Sequence, residues 1–264
     1  MRLAFSQNMH FTLAILVLGC TLLLTPSQGL AWQELEPGLD FAEFSFLERE
    51  KAISVLRIDP SQFHFILCAA SAKSKAKPLS QWAHDYALLA GINASMYLKD
   101  GITSTGYLRE KEHVNNPRIH QRFGAFFVAQ PKKQGIPSAA ILEREDPNLQ
   151  EKLAQYDLVI QNFRLIGQGG QILWPKSGPL HPIACVGQDK DGKVLFILCK
   201  IPTTAHALAE ELLKLPIKLS QAMYVEGGLE AELFVRGVNT ASEERYFPFL
   251  KIHPALPNVL GLRK

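Results

Sequence analysis

The feature that most constrains this chain is its run of short segments in which apolar and polar residues alternate, because such segments form strands with one buried face. Leu39 to Phe46 (LDFAEFSF) is the clearest case, and parts of Ala52 to Ile58 and Phe63 to Cys68 repeat it, so the chain opens as a strand meander. Two segments have helical spacing instead. Leu79 to Leu89 sets Trp82, Ala83, Tyr86 and Leu89 on one face, with Ser80 as N-cap and Gly91 just past the end. A second helix, capped by Thr203 or Thr204, carries Leu208, Leu212 and Leu215 on one face and stops at Pro216. Further strands are expected at Ile102 to Leu108, Phe123 to Ala129, Ala139 to Leu142, Leu158 to Ile160, Leu165 to Ile166 and Ala222 to Val225. The Asp189 to Gly192 turn joins Ile183–Val186 to Val194–Cys199 as a hairpin. With no βαβ period, internal repeat or polar linker, the expectation is a single α+β domain: a mixed, mostly antiparallel sheet flanked by helices on one side.

The first 31 residues read as a separate unit. Arg2 and a polar stretch precede a 14-residue apolar run from Phe11 to Leu24, too short to span a bilayer, and Gly29 and Ala31 offer a cleavage site before Trp32. This is a signal peptide pattern, which leaves residues 32–264 as an exported domain, periplasmic or secreted, with no stable membrane span after processing. The rival reading is lipid attachment at Cys20 in Val-Leu-Gly-Cys. The mature chain keeps Cys68, Cys185 and Cys199, each in an apolar segment, and these read as buried thiols in preference to a disulfide. A formal net charge of +3 gives no basic excess of the kind a nucleic-acid-binding protein shows.

Familiar catalytic signatures for serine hydrolases, zinc peptidases, P-loop enzymes and Cys-x-x-Cys sites are missing, Gly167 to Gly170 reads as a hairpin turn, and the scattered histidines give no metal spacing; neither metal nor cofactor is expected. The polar stretch from Glu110 to Arg122 is the connection best suited to cover a site. Three segments could carry chemistry. In Gly91-Ile-Asn-Ala-Ser-Met-Tyr97, Asn93 and Tyr97 pair amide and phenol groups in a way that suits sugars, although residue types alone favour Asn93 pairing a turn backbone and Tyr97 filling the core. In Val159 to Ile166, Gln161, Asn162 and Arg164 interrupt an apolar run; a guanidinium there needs an anion, either a structural carboxylate or a substrate phosphate. In Ala222 to Val235, a strand ends in Glu226, Gly227 and Gly228 permit a sharp turn, and Glu230 follows. Two such carboxylates suit glycoside cleavage or, equally, an acidic hairpin.

Taken in order, these three segments resemble the phosphodiester glycosidase family. The resemblance runs from Trp32 to about Val235 and rests on Asn93 to Tyr97, Gly106, Asn162 to Ile166, His181 to Gly187, Asp191-Gly192 and Glu226-Gly227-Gly228. The tail from Asn239 has no counterpart. The chain departs from the family where Asn162-Phe163-Arg164 replaces Gly-Pro, His181-Pro182 replaces Arg-Thr, Glu226 replaces Asp, and Leu229-Glu230 replaces Gly-Ser. The resemblance implies an exported hydrolase that cleaves the glycosidic bond of a sugar 1-phosphodiester. In that reading Glu226 is the principal carboxylate, Glu230 the second, Arg164 and His181 stabilise charge on the phosphate, and Asn93, Tyr97, Asn162, Gly227 and Gly228 bind substrate. The departures favour an alternative, a non-catalytic envelope protein that binds glycans or cell-wall polymers in the same cleft.

Overall fold

A computed structural model describes residues 32–72, 75–238 and 254–264; the expected signal peptide and Cys20 lie outside them. In chain order the elements are β1 (Gln33–Glu36), β2 (Leu39–Phe46), β3 (Arg49–Ile58), β4 (His64–Ala69), α1 (Leu79–Asp85), β5 (Ala90–Asn93), β6 (Leu108–Glu110), β7 (His113–Asn116), β8 (Ala125–Pro131), β9 (Ala139–Glu143) and α2 (Leu149–Ala154). They continue with β10 (Tyr156–Gly167), β11 (Gln171–Ile172), β12 (His181–Asp189), β13 (Val194–Thr203), α3 (Ala205–Lys214), β14 (Leu219–Gly227), β15 (Leu233–Val235) and β16 (Asn258–Arg263).

Twelve strands join in one sheet, with the path β1-β2-β3-β13-β12-β14-β10-β6-β7 and β8, β9 and β11 attached through β10; the other four form a small sheet, β15-β5-β16-β4. The larger sheet and the small one face each other across the main core, where Phe65, Ile92 and Leu260 meet Leu56, Phe196, Val186 and Met223. Alternation explains the rest: neighbouring residues of the same strands point to opposite faces. Ile197, Cys199, Cys185 and Ala222 therefore turn away from that core, where Leu208, Ala209 and Leu212 of α3 cover them. On the far side of the small sheet, Trp82 of α1 packs on Cys68 and Val259. Helices thus sit on the outer faces of both sheets rather than on one side. The three thiols are free and buried; burial raises the pKa of Cys68 and Cys199 to about 12 and pushes that of Cys185 up as well, so they act as core residues.

Several expected elements change at identifiable points. The first helix ends at Asp85 because Ala87 takes a left-handed φ of 51°, and Pro78, not Ser80, precedes its first turn. Thr204 does cap α3, accepting from the Ala207 N–H at 3.1 Å. The two short strands expected around Leu158 and Leu165 are one twelve-residue strand, β10, whose first half lies between β6 and β8 and whose second half lies between β14 and β11. Strand structure over Ile102 to Leu108 is confined to its end; residues 94–107 form a connection in which Gly106 presses on the Gln161 backbone, where a Cβ would sit 2.5 Å from the carbonyl oxygen. Gly169 and Gly170 make the expected turn, with φ of 77° and 81°. The tail supplies β16, which pairs with β4 on one edge and β5 on the other.

Candidate active site

Because β12 and β14 are antiparallel, with Ile183 opposite Gly227 and Ala184 opposite Glu226, the start of one strand meets the end of the other. His181 and Glu226 are thereby placed at the same end of the sheet. Beyond Gly227 the chain makes one tight helical turn, Gly228–Glu230, and crosses into β15 of the small sheet. Gly228 is required there by its φ of 83°. Gly227 is required for a different reason: a Cβ would collide with the Tyr224 hydroxyl and lie 2.6 Å from His181 Cε1. The glycine is what lets the phenol and the imidazole close on the backbone beside Glu226.

Glu226 accepts one backbone hydrogen bond, from Gly227 N–H at 2.9 Å. Burial raises its pKa to about 7, against that hydrogen bond and with a further push from the negative charge of Glu230. The carboxyl therefore changes protonation near neutrality. Tyr97 reaches the second carboxylate, its hydroxyl 3.5 Å from Glu230 Oε1, and burial, followed by the charges of Glu230 and Glu226, raises the phenol pKa. Tyr224 is raised likewise, by burial and then by Glu226. Both phenols are therefore neutral donors at physiological pH. His181 Nδ1 lies 3.0 Å from the Pro182 carbonyl. A carbonyl only accepts, so Nδ1 carries the proton and Nε2 is the nitrogen free for a ligand.

The two asparagines are used on backbone. Asn93, 2% exposed, donates to the Glu230 carbonyl at 2.6 Å and accepts from Glu232 N–H at 2.9 Å, so it clamps the turn that carries Glu230 instead of offering its amide to a sugar. Asn162 donates to the Ala94 carbonyl at 2.8 Å and so ties the Asn93–Tyr97 segment to β10, while its buried Oδ1 has no partner among the described residues. Gln161 is saturated: its amide donates to the carbonyls of His120 and Phe123 and accepts from the N–H groups of His120 and Tyr107. Through Gln161 the end of the polar 110–122 stretch is fastened to the sheet.

Arg164 stands apart from this group. Its Nη1 lies 2.9 Å from Glu143 Oε2 and its Nη2 3.3 Å from Glu145 Oε2. The anion expected for this guanidinium is thus a pair of structural carboxylates from β9 and the turn after it, about twenty residues upstream. Of the two partners the sequence left open, structural carboxylates are the ones the structure places on it. Three rings that no sequence motif marks lie beside His181. Phe163 of β10, Tyr224 of β14 and Trp174 line up outward from His181: His181–Tyr224 centroids are 6.4 Å apart, Tyr224–Trp174 4.8 Å and Trp174–Phe163 5.2 Å. Phe163 and Tyr224 are direct partners in the β10–β14 ladder; two large aromatics on adjoining apolar strands were the available signal. Among the described residues no group of three or more His, Cys, Asp or Glu side chains is arranged to hold a metal ion.

The phosphodiester glycosidase family model matches residues 86–262. That span leaves out the first strands and takes in β16, so the resemblance reaches further down the chain, and starts later, than the motifs suggested. Among solved structures, the catalytic domain of zebrafish N-acetylglucosamine-1-phosphodiester alpha-N-acetylglucosaminidase, auto-inhibited by its pro-peptide, superposes with a TM-score of 0.61 at 14% identity, covering 90% of this chain and 87% of that one. A hypothetical protein from Synechocystis gives 0.59 at 10% identity, covering 87% and 62%. No curated protein shows significant sequence similarity. At these identities the superpositions establish the fold.

Proposed function

The chain belongs to the phosphodiester glycosidase family, and from that premise we propose that it hydrolyses the bond between the anomeric carbon of a sugar and the oxygen of a phosphodiester. The observation that carries this reading is the pair Glu226 and Glu230, one half-buried and titrating near neutrality, the other in reach of a neutral phenol, with an imidazole alongside. In the reaction the anomeric C–O bond breaks, the phosphate oxygen leaves as a phosphomonoester, and water supplies the new hydroxyl of the sugar. A phosphate is a good leaving group, so the main demand is to stabilise positive charge at the sugar and negative charge at the departing oxygens. Ionised Glu226, with Glu230 as second carboxylate, meets the first demand; a titration near 7 also lets Glu226 take a proton from the attacking water. The His181 imidazole, at the same end of the sheet, is placed to meet the second. Tyr97 orients Glu230, and Asn93 and Asn162 hold the backbone that presents both.

Export belongs to the same reading and rests on the signal-like pattern of residues 1–31; a free N-terminus near Trp32 by mass spectrometry of the mature protein is its check. The activity is tested by incubating residues 32–264 with a panel of sugar 1-phosphodiesters and assaying free reducing sugar. Release by the wild-type chain and its loss in Glu226→Gln, with the fold kept, is the expected result. Equal turnover by both would remove Glu226 from the chemistry. No release from any diester would leave the glycan-binding alternative.

A further inference from the structure

The connections that carry the site groups have an unusual outer surface. Eight large apolar side chains are exposed among the described residues, and four of them adjoin a ring or carboxylate of this region in sequence. Leu98, 44% exposed, follows Tyr97, whose hydroxyl reaches Glu230; Leu229, 46% exposed, precedes Glu230 itself. Leu180, 68% exposed, precedes His181, and Ile119, 40% exposed, precedes His120, whose ring packs on Phe123 and through it on Phe163. They come from four separate connections, and none belongs to a core cluster. Water-facing turns ordinarily carry Asn, Asp, Ser or Gly at such positions.

Three of these connections are also basic. Lys99 stands beside Leu98, Arg118 beside Ile119, Arg122 further along the same connection, and Lys176 in the exposed stretch that ends at Leu180. All four are exposed, and none has an ion-pair partner among the described residues. Asp100, next to Lys99, is spent on its own turn, accepting from the Thr103 hydroxyl and from the N–H groups of Ile102 and Thr103. Lys77, Lys193 and Lys218, on other parts of the surface, each hold an aspartate.

Apolar tips interleaved with unmatched cations fit a partner that is anionic at its surface and apolar just beneath it. A nucleic acid would use the cations and leave the leucines in water. Two copies meeting through this face would press like charges together. The direction of the chain adds an independent argument. The Trp32 ring lies 6.4 Å from that of Phe44 between centroids. Phe44 is in register with Ile53, Ile53 with Cys199, Cys199 with Ile183, and Ile183 with Gly227. The chain therefore enters the domain at the end of the sheet where Glu226 stands, and residues 1–31, with their apolar run from Phe11 to Leu24, join it there. That run, inserted in a bilayer during export, would tether the domain by this end.

We propose that the mouth of the site is a membrane-docking face: the four apolar tips insert at the headgroup boundary of an anionic bilayer, and the four cations hold its headgroups. The site then opens against the membrane surface. This inference concerns where the protein works and stands or falls separately from the hydrolysis reading, because its readout is binding to vesicles.

The test is co-sedimentation of residues 32–264 with vesicles of phosphatidylcholine alone and of phosphatidylcholine with about 30% phosphatidylglycerol. Binding to the anionic vesicles about tenfold or more above that to phosphatidylcholine, and weakened by salt, is expected. The paired change Leu98→Ser and Leu180→Ser should lower it about tenfold, and Lys99→Gln with Lys176→Gln by a similar factor, with thermal unfolding as in the wild type. Leu213→Ser, near the C-terminal end of α3, is the control and should bind as the wild type does. The lysine pair keeps the test decisive if the serine pair unfolds. Binding that is equal on both vesicles, or unchanged in both paired variants, would overturn the docking face. Absence of vesicle binding would overturn the bilayer as partner. A dimer that dissociates on Leu98→Ser with Leu180→Ser, without vesicle binding, would give the face to a second copy instead.

Discussion

The two ends of the β12–β14 strand pair are built from the same ingredients and do different things. At one end β12 runs out at Asp189, with Asp191, Gly192 and Lys193 in the turn and Lys218 opposite; at the other β14 runs out at Glu226, with Gly227, Gly228 and Glu230 after it. Burial raises the pKa of Asp189, as it does that of Glu226. The difference lies in what comes to meet the carboxylate. Asp189 Oδ1 accepts from the N–H groups of Asp191 and Lys193 at 2.9 and 2.8 Å, and the neighbouring charges are matched, Asp191 by Lys218 and Lys193 by Asp59, each at 2.7 Å. Glu226 has one N–H, and its acidic neighbour Glu230 repels it. A carboxylate whose one oxygen is held by two N–H groups of its own turn is part of the fold, even though the buried Oδ2 of Asp189 has no partner among the described residues. One held next to another acid retains an electrostatic cost that chemistry can use.

Exchanging the acids separates these roles. Glu226→Gln should reduce turnover of a sugar 1-phosphodiester by roughly 100-fold or more, measured as initial rates of sugar release, whereas Asp189→Asn, which keeps the Oδ1 acceptor, should leave it within about twofold. The contrast would break if both variants lost activity equally.

The pH dependence of stability sharpens it. Glu226 moves from an ordinary carboxyl pKa of 4.5 in the unfolded chain to about 7 in the fold. Below 4.5 both states hold the proton and the group is neutral in the balance; between 4.5 and 7 only the folded state holds it, so stability falls as pH rises through that window. The total amounts to roughly 3 kcal/mol. Denaturant unfolding at pH 4.5 and pH 8 should therefore show Glu226→Gln gaining on the wild type by up to that amount at the higher pH. A constant difference across the window would mean that Glu226 is not buried as described.

At the other end, Asp189→Ala removes two turn hydrogen bonds, and a loss of about 1–2 kcal/mol in urea unfolding is expected with activity retained. The smallest effect belongs to Arg164→Lys. The lysine keeps a charge near Glu143 and Glu145 but cannot reach both in the same geometry, so stability should fall by about 1 kcal/mol while kcat/KM changes less than twofold. A large fall in kcat/KM without loss of stability would return Arg164 to the phosphate.

Strand positions were legible in the sequence because one buried face imposes period two, as in Leu39–Phe46, whose bounds the structure matches. The grouping of Tyr97, His181, Glu226 and Glu230 was legible only through the family resemblance; spacing alone cannot bring together residues 97, 181 and 226. What failed has a common cause. Gln161, Asn162 and Arg164 are polar residues in an apolar strand, and the sequence shows that they need partners without showing which. The partners come from distant connections: His120, Ala94, Glu143. The same ambiguity hid the purpose of Asn93, and β16 went unread because its edges are filled by strands 165 and more residues upstream in the chain.

That placement of β16 has a consequence in time. The strand lies in the middle of the small sheet, so β5, with the Asn93 clamp on the Glu230 turn, has no partner on that side until the chain has been made past Arg263. Pairings of such long sequence separation form late. A chain stopped short of β16 therefore has its carboxylates but not the frame that aims them.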